Sequence, residues 1–190
     1  AEALGEARRT GALRDVVLSL RGMTPLYRIE EIVLARNASV PSTNLTFIYP
    51  FCDEPYRISV HALCRSTDKD LGRLDRREMI ELLSLTCLVL SVPSSDSSPR
   101  SVYEAIFSGA CVAATQGRWM EILPACMRAR IRIVDIRDPA WFGSALAWAQ
   151  ETCQIPYEPS NDALDMFDQC RSMARVVDSL YVAQAIRGNL

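Results

Sequence analysis

The sequence predicts an α/β fold built on a parallel sheet. Two observations carry that reading. Short β-rich apolar runs alternate with helical stretches of about 10 to 15 residues, the rhythm of successive βαβ units. One of the runs, Cys87 to Val92 (CLVLSV), is continuously apolar, as a strand buried on both faces must be. Parallel connections cross over right-handed, so these units wind into a doubly wound, Rossmann-like sheet of about six strands with helices on both faces.

The elements follow in order. Residues 1–14 read as a leader into the first β-rich run, Val16 to Leu20. A helical stretch comes next, with Ile29, Ile32 and Val33 on one face. Leu45 to Tyr49 is the second strand, ended by Pro50. Residues 54–65 predict a helix with Ile58, Ala62 and Cys64 or Arg65 near its inner edge, and Asp70 to Leu74 a weak extended piece. Asp75 followed three residues later by Glu78 is a capping-box start for a helix carrying Met79, Leu82 and Leu83. After the strand at Cys87, the Ser-rich segment Pro93 to Pro99 must be a loop. Ser98 as N-cap and Pro99 at the first helical position open the next helix. Val102, Ala105 and Ile106 form its inner face and Gly109 stops it. Cys111 to Ala114 is a strand, Trp119 to Leu123 a short helix, Ile131 to Ile136 a strand, and 139–152 a helix with Trp141, Leu146 and Trp148. Beyond Pro156 and Pro159 a long C-terminal helix starts near Asn161. Its apolar stripe is Met166, Cys170, Met173, Val177, Leu180 and Ala183, at spacings of 4, 3, 4, 3 and 3. Residues 156–190 therefore read as a helical segment of the same domain.

Composition narrows the function. A chain of 190 residues, 49% hydrophobic, suits one ordinary domain with a real core. With 21 Lys+Arg against 23 Asp+Glu, no basic field points to nucleic acid. No apolar run approaches the roughly 18 residues of a membrane span, and the opening residues lack a signal pattern. A single histidine, His61, excludes multi-His metal chemistry and argues against a His-based triad. Seven scattered cysteines without a C-x-x-C read as reduced thiols in a reducing, cytoplasmic compartment. There is no G-x-G-x-x-G after the first strand, no Walker loop, no H-E-x-x-H and no G-x-S-x-G.

In doubly wound sheets ligands bind beyond the carboxyl ends of the strands, where the strand order reverses. That directs attention to the loop Pro93-Ser-Ser-Asp96-Ser-Ser98-Pro-Arg100-Ser101 and the helix it opens. Free N–H groups and the helix dipole there favour an anion such as phosphate. Asp96 sits in the loop, and Glu104 about one and a half turns into the helix. Plain capping accounts equally well for Ser98 and Ser101, and a solvated helix carboxylate for Glu104.

The run SVPSSDSSPRSVYEAIFSGACVAATQGRWMEILP resembles the signature half of the retaining, group 1 type nucleotide-sugar glycosyltransferases of GT-B fold. That family has a strand ending in Pro-Ser, an acid, a small-residue loop, Glu-Ala-apolar-x-x-Gly, an apolar strand and then a Gly shortly followed by a Glu. Here these are Pro93-Ser94, Asp96, Glu104-Ala105-Ile106 with Gly109, Cys111 to Ala114, and Gly117 with Glu121. Gly72-Arg73-Leu74 ahead of the Asp75 helix and Arg21-Gly22 after the first strand are similar to further family features. The resemblance covers residues 15–155. It implies that this stretch is a nucleotide-sugar-binding domain, the donor half of an enzyme that transfers sugar to a glycan, lipid or other acceptor.

The site roles follow from the same resemblance. Glu104 would bind the donor's ribose hydroxyls and Asp96 would face the transferred sugar as the catalytic-site acid. Arg100 and Ser101, with Ser98 beside them, would hold the diphosphate of a UDP- or GDP-sugar. Arg21 would add charge there, and Gly72 and Leu74 would form the base side. No metal and no further cofactor are implied. Two departures stand out. The first acid is Asp, one methylene shorter than the family's Glu, and the family's Lys has no counterpart, with Arg28 the nearest cation. The chain is expected to be a fragment lacking an N-terminal acceptor domain and inactive alone, its full-length protein cytoplasmic or peripheral to the inner membrane face. A non-catalytic sugar-nucleotide-binding or interaction module is the alternative. An epimerase on the same fold suits the single His less well.

Overall fold

A computed structural model describes residues 13–97, 99–168 and 173–174. Six strands form one sheet: β1 (Val16–Ser19), β2 (Leu45–Ile48), β3 (Lys69–Gly72), β4 (Thr86–Ser91), β5 (Cys111–Ala114) and β6 (Ile131–Ile133). Their order is β3-β2-β1-β4-β5-β6 and every pairing is parallel. The predicted doubly wound α/β sheet is therefore present. The helices between the strands are α1 (Ile29–Ser39), α2 (Glu54–Leu63), α3 (Arg76–Leu85), α4 (Arg100–Phe107) and α5 (Ala125–Arg128), and α6 (Trp141–Thr152) and α7 (Asn161–Phe167) follow β6. None of the described helices is long and apolar enough to cross a membrane.

Strand alternation sends successive side chains to opposite faces, and each face builds its own core. Leu88 and Leu90 of β4 pack with Val17, Leu45 and Phe47 against α1 and α6, through Ile29, Ile32, Val33 and Phe142. Val89, between them, packs with Leu18, Val112 and Ala114 against Val102, Ala105 and Ile106 of α4. All six residues of β4 are buried, the signature the CLVLSV run predicted.

One charged clamp is buried near the β2–β3 side. Arg36 of α1 is wholly buried. Its guanidinium donates to both oxygens of Asp68 at 2.8 and 2.5 Å and to the Thr43 carbonyl at 2.7 Å. Asp68 also accepts from the backbone N–H groups of Leu45 and Arg65, each at 2.8 Å. The last turn of α1, the start of β2 and the approach to β3 are tied at one carboxylate.

The capping box at α3 forms as its sequence predicts. The Asp75 carboxylate accepts from Glu78 N at 2.8 Å, and the Glu78 carboxylate accepts from Asp75 N at 2.9 Å. Replacing Asp75 with Ala should cost about 1 kcal/mol. A melting temperature lowered by about 2–4 °C in a thermal unfolding scan checks this.

Several expectations need correction. In α2 the inner face is Tyr56 and Val60, while Ile58 is 61% exposed. Asp53 caps the helix through Tyr56 N, and the Tyr56 hydroxyl reaches the N–H of Glu30 on α1. This phase turns Tyr56 inward and leaves Ile58 out. Pro99 is the N-cap of α4 rather than its first helical residue, and the expected cap Ser98 lies outside the described residues. The sixth strand ends at Ile133, short of Ile136. The last helix, α7, opens on Ser160, whose hydroxyl accepts from Ala163 N, and closes at Phe167. The rest of the expected C-terminal stripe, Met173 apart, lies outside the described residues, as do residues 1–12 of the leader.

Candidate functional site

β1 is followed by a connection running toward the β3 edge, and β4 by one running toward the β6 edge, so a crevice opens between their carboxyl ends. Arg21 lies two residues beyond β1, and Asp96 five residues beyond β4. The fold brings them together across 75 residues of chain. One terminal nitrogen of Arg21 pairs with the Asp96 carboxylate. The other donates to the Ser101 hydroxyl, in the first turn of α4, at 2.9 Å. The guanidinium carbon stands 4.8 Å from the Tyr27 ring centroid. The Arg21 and Asp96 side chains are only 10% and 12% exposed, and Arg21 Nε is buried with no hydrogen-bond partner among the described residues.

A cavity of about 300 Å³ opens beside Arg21 and Ser101 and extends past Tyr27, Tyr49 and Phe51 to Arg73 and Leu74. Its wall depends on Gly22. A Cβ at that position would come within 2.5 Å of the Phe51 ring and 2.9 Å of the Tyr27 ring, so only glycine lets both rings close in. The Tyr49 hydroxyl donates to Asp70 at 3.0 Å. Burial first, and that bond second, push its pKa up to about 12, so it remains a protonated donor at neutral pH. Gly72 ends β3 with φ +60°, the left-handed turn that carries the chain to Leu74. Beyond Asp96, on the β5 side, a hollow of about 40 Å³ is lined by Ser94, Ser95, Asp96, Thr115, Gln116, Gly117 and Trp119.

The other expected site residues are placed as follows. Glu104 points to the start of α3, where its carboxylate pairs with Arg76 at 2.9 Å; it is 22% exposed. Arg100 is exposed at the head of α4. Its N–H and that of Ser101 belong to the first turn, whose donors have no partner within the helix. Arg28 has a left-handed backbone, φ 52°, at the start of α1, and it is not among the residues that line the cavity. No group of three or more His, Cys, Asp or Glu among the described residues is placed to hold a metal ion.

Sequence reasoning missed Tyr27, Phe51, Arg73 and Arg76. Phe51 had a usable signal, since Tyr49-Pro50-Phe51 follows a strand at its carboxyl end. Tyr27 sits in a short 3₁₀ turn, Pro25–Tyr27, that hydrophobic patterning does not announce.

The geometry can receive an anion and a flat or ring-shaped group side by side. A guanidinium and a helix N-terminus face the crevice, and an aromatic and aliphatic cavity adjoins them. Matches among known proteins agree with that architecture. No protein-family model matches the sequence, and no curated protein sequence matches it. Solved structures do match. An α,α-trehalose-phosphate synthase (UDP-forming) from Burkholderia vietnamiensis is 15% identical, over 97% of this chain and 50% of its own, with a TM-score of 0.69. The C-terminal domain of a group 1 glycosyltransferase, LpcC from Francisella tularensis, is 14% identical over 87% of this chain and 91% of its own, with a TM-score of 0.58. HepE from Anabaena, solved with UDP and glucose, is 16% identical over 94% and 52%, with a TM-score of 0.58.

The chain thus has the fold of the C-terminal domain of GT-B group 1 glycosyltransferases. It spans about half the length of the trehalose-phosphate synthase and of HepE, and nearly all of the isolated LpcC domain.

Proposed function

We propose that this chain is the donor nucleotide-sugar-binding half of a retaining glycosyltransferase. The observation that carries the reading is the meeting of Arg21, Asp96 and Ser101 at the β1–β4 switch point, beside the cavity that reaches Leu74. Arg21 and the first turn of α4 supply positive potential for a diphosphate without a metal ion. As the sugar leaves the nucleotide, negative charge grows on the diphosphate, and a guanidinium already in place stabilises it. Glu104 suits vicinal ribose hydroxyls, because a carboxylate accepts from both. Leu74 and the cavity beyond it suit the base, and Asp96 stands where the donor sugar would lie. The UDP-forming synthase and the UDP and glucose held by HepE support this reading by likeness of fold. Acceptor chemistry would come from a second domain, so the chain alone should bind a donor weakly and transfer nothing.

Calorimetric titration with UDP and GDP tests the proposal. Binding of at least one, with a dissociation constant in the micromolar to millimolar range, is the expected result. Failure of both to bind at millimolar concentration removes it. A non-catalytic binding module is the second reading, favoured by the short Asp96 side chain and its engagement with Arg21. An unchanged rate of transfer after Asp96→Ala, in a chain that carries an acceptor domain, would show that Asp96 does no chemistry.

A further inference from the structure

The surroundings of Arg21 hold more than an anion site needs. Its guanidinium has three partners of different kinds: the Tyr27 ring, over which its central carbon lies, the Ser101 hydroxyl on one nitrogen and the Asp96 carboxylate on the other. Its Nε is buried without a hydrogen-bond partner among the described residues. Tyr27 is itself packed against Phe51, ring centroids 6.4 Å apart, in the space Gly22 leaves open. A diphosphate beside Ser101 would compete with Asp96 for the same donors, because carboxylate and phosphate both fit the guanidinium fork. A ring face does not compete, because it attracts the cation through its quadrupole and accepts no N–H in the plane of the fork.

We infer that Tyr27 is a positioning residue that holds Arg21 in the crevice while an incoming diphosphate displaces Asp96 as its counter-ion. This rests on the donor-binding reading above and adds an exchange step to it. Before a diphosphate binds, Asp96 would neutralise Arg21, so a largely buried guanidinium is never left unpaired. When the diphosphate takes over Arg21, the Asp96 carboxylate is released toward the small hollow at Ser94, Ser95, Thr115 and Gly117. That side of the loop is where the transferred sugar is proposed to lie. Donor arrival would thus turn the acid from Arg21 toward the sugar.

Titration of the 190-residue chain with UDP, GDP, inorganic pyrophosphate and the matching nucleosides tests this. Asp96→Asn should bind pyrophosphate and nucleoside diphosphate about three- to tenfold more tightly, because the competing anion is gone. The same substitution on an Arg21→Gln background should change affinity little, which separates exchange at Arg21 from a general field effect. Tyr27→Leu should weaken nucleoside diphosphate binding about two- to fivefold, the size of a cation–π contact. It should leave nucleoside binding alone, and Tyr27→Phe should restore the loss. Retained nucleoside binding and an unchanged far-ultraviolet spectrum show that Tyr27→Leu is folded. If nucleoside diphosphates bind but Asp96→Asn is no tighter, or is equally tightened without Arg21, the exchange is wrong and the donor reading stands. If Tyr27→Leu binds the diphosphate as wild type does, Tyr27 positions nothing. If no variant binds any nucleoside diphosphate, the donor reading itself falls.

Discussion

Replacing Arg36 with Met should destabilise the domain by about 3–5 kcal/mol, since it strands a buried carboxylate. Asp68 is 3% exposed, and it would keep only its two backbone donors, Leu45 N and Arg65 N. For a domain of this size the melting temperature should fall by about 10 °C, with a matching shift in the urea midpoint. A change within about 0.5 kcal/mol, the range of ordinary surface substitutions, would show that the clamp is ornamental. The pH dependence has a definite sign. Burial alone pushes the Asp68 carboxyl up, but the Arg36 fork and the two backbone N–H donors outweigh it and hold it below its ordinary value. A depressed carboxylate contributes stability above its unfolded value of about 3.9. That contribution is lost as pH falls through the lower folded value. The gap between wild type and Arg36→Met should therefore be full at neutral pH and narrow below about pH 4. Acid titration of both proteins at fixed urea reads this directly.

Glu104→Ala should have the largest effect on donor recognition. Loss of a carboxylate bonded to two hydroxyls corresponds to about 10- to 100-fold in nucleoside diphosphate affinity. The chemical signature is sharper than the magnitude. Wild type should discriminate UDP or GDP from its 2′,3′-dideoxy analogue, and Glu104→Ala should bind both alike. Arg76→Ala removes only the partner of Glu104 at the α3 start, and Arg76 is 56% exposed. Its effect should stay within the range of a surface ion pair, about 0–1 kcal/mol. Retained discrimination in Glu104→Ala would remove the ribose role proposed for Glu104.

Much of this fold was legible because burial leaves a mark on sequence. β4 is buried throughout and its centre, Cys87 to Leu90, is apolar throughout, and the six strand positions follow from the alternation around it. β3 read only as a weak extended piece because it is an exposed edge strand, Lys-Asp-Leu-Gly, with no burial to pattern it. α2 was misphased because Ile58 has the side chain of a core residue. Its true phase is set by a cap at Asp53 and by a hydroxyl on Tyr56 that reaches another helix. Asp96, Ser101 and Glu104 could be singled out because their spacing is local to one loop and one helix. The Ser101 contact with Arg21 runs through its hydroxyl, a detail outside a backbone N–H argument. Tyr27 and Phe51 could not be assigned, because their meeting beside Gly22 is fixed only when β1 and β2 lie side by side.

The margins of the sheet are its least protein-like places. β3 pairs through three positions, with a register shift between Phe47 and Ile48, and carries Lys69 and Asp70. β6 is three residues long, with Arg132 at its centre reaching back to Ser144 of α6. Sheets spread from molecule to molecule by recruiting a foreign strand along an unpaired margin, and short, charged, irregular borders suppress that recruitment. The four interior strands, β2, β1, β4 and β5, are therefore walled off at both ends. These four strands are buried at nearly every position, so their apolar segments lie where no neighbouring chain can recruit them.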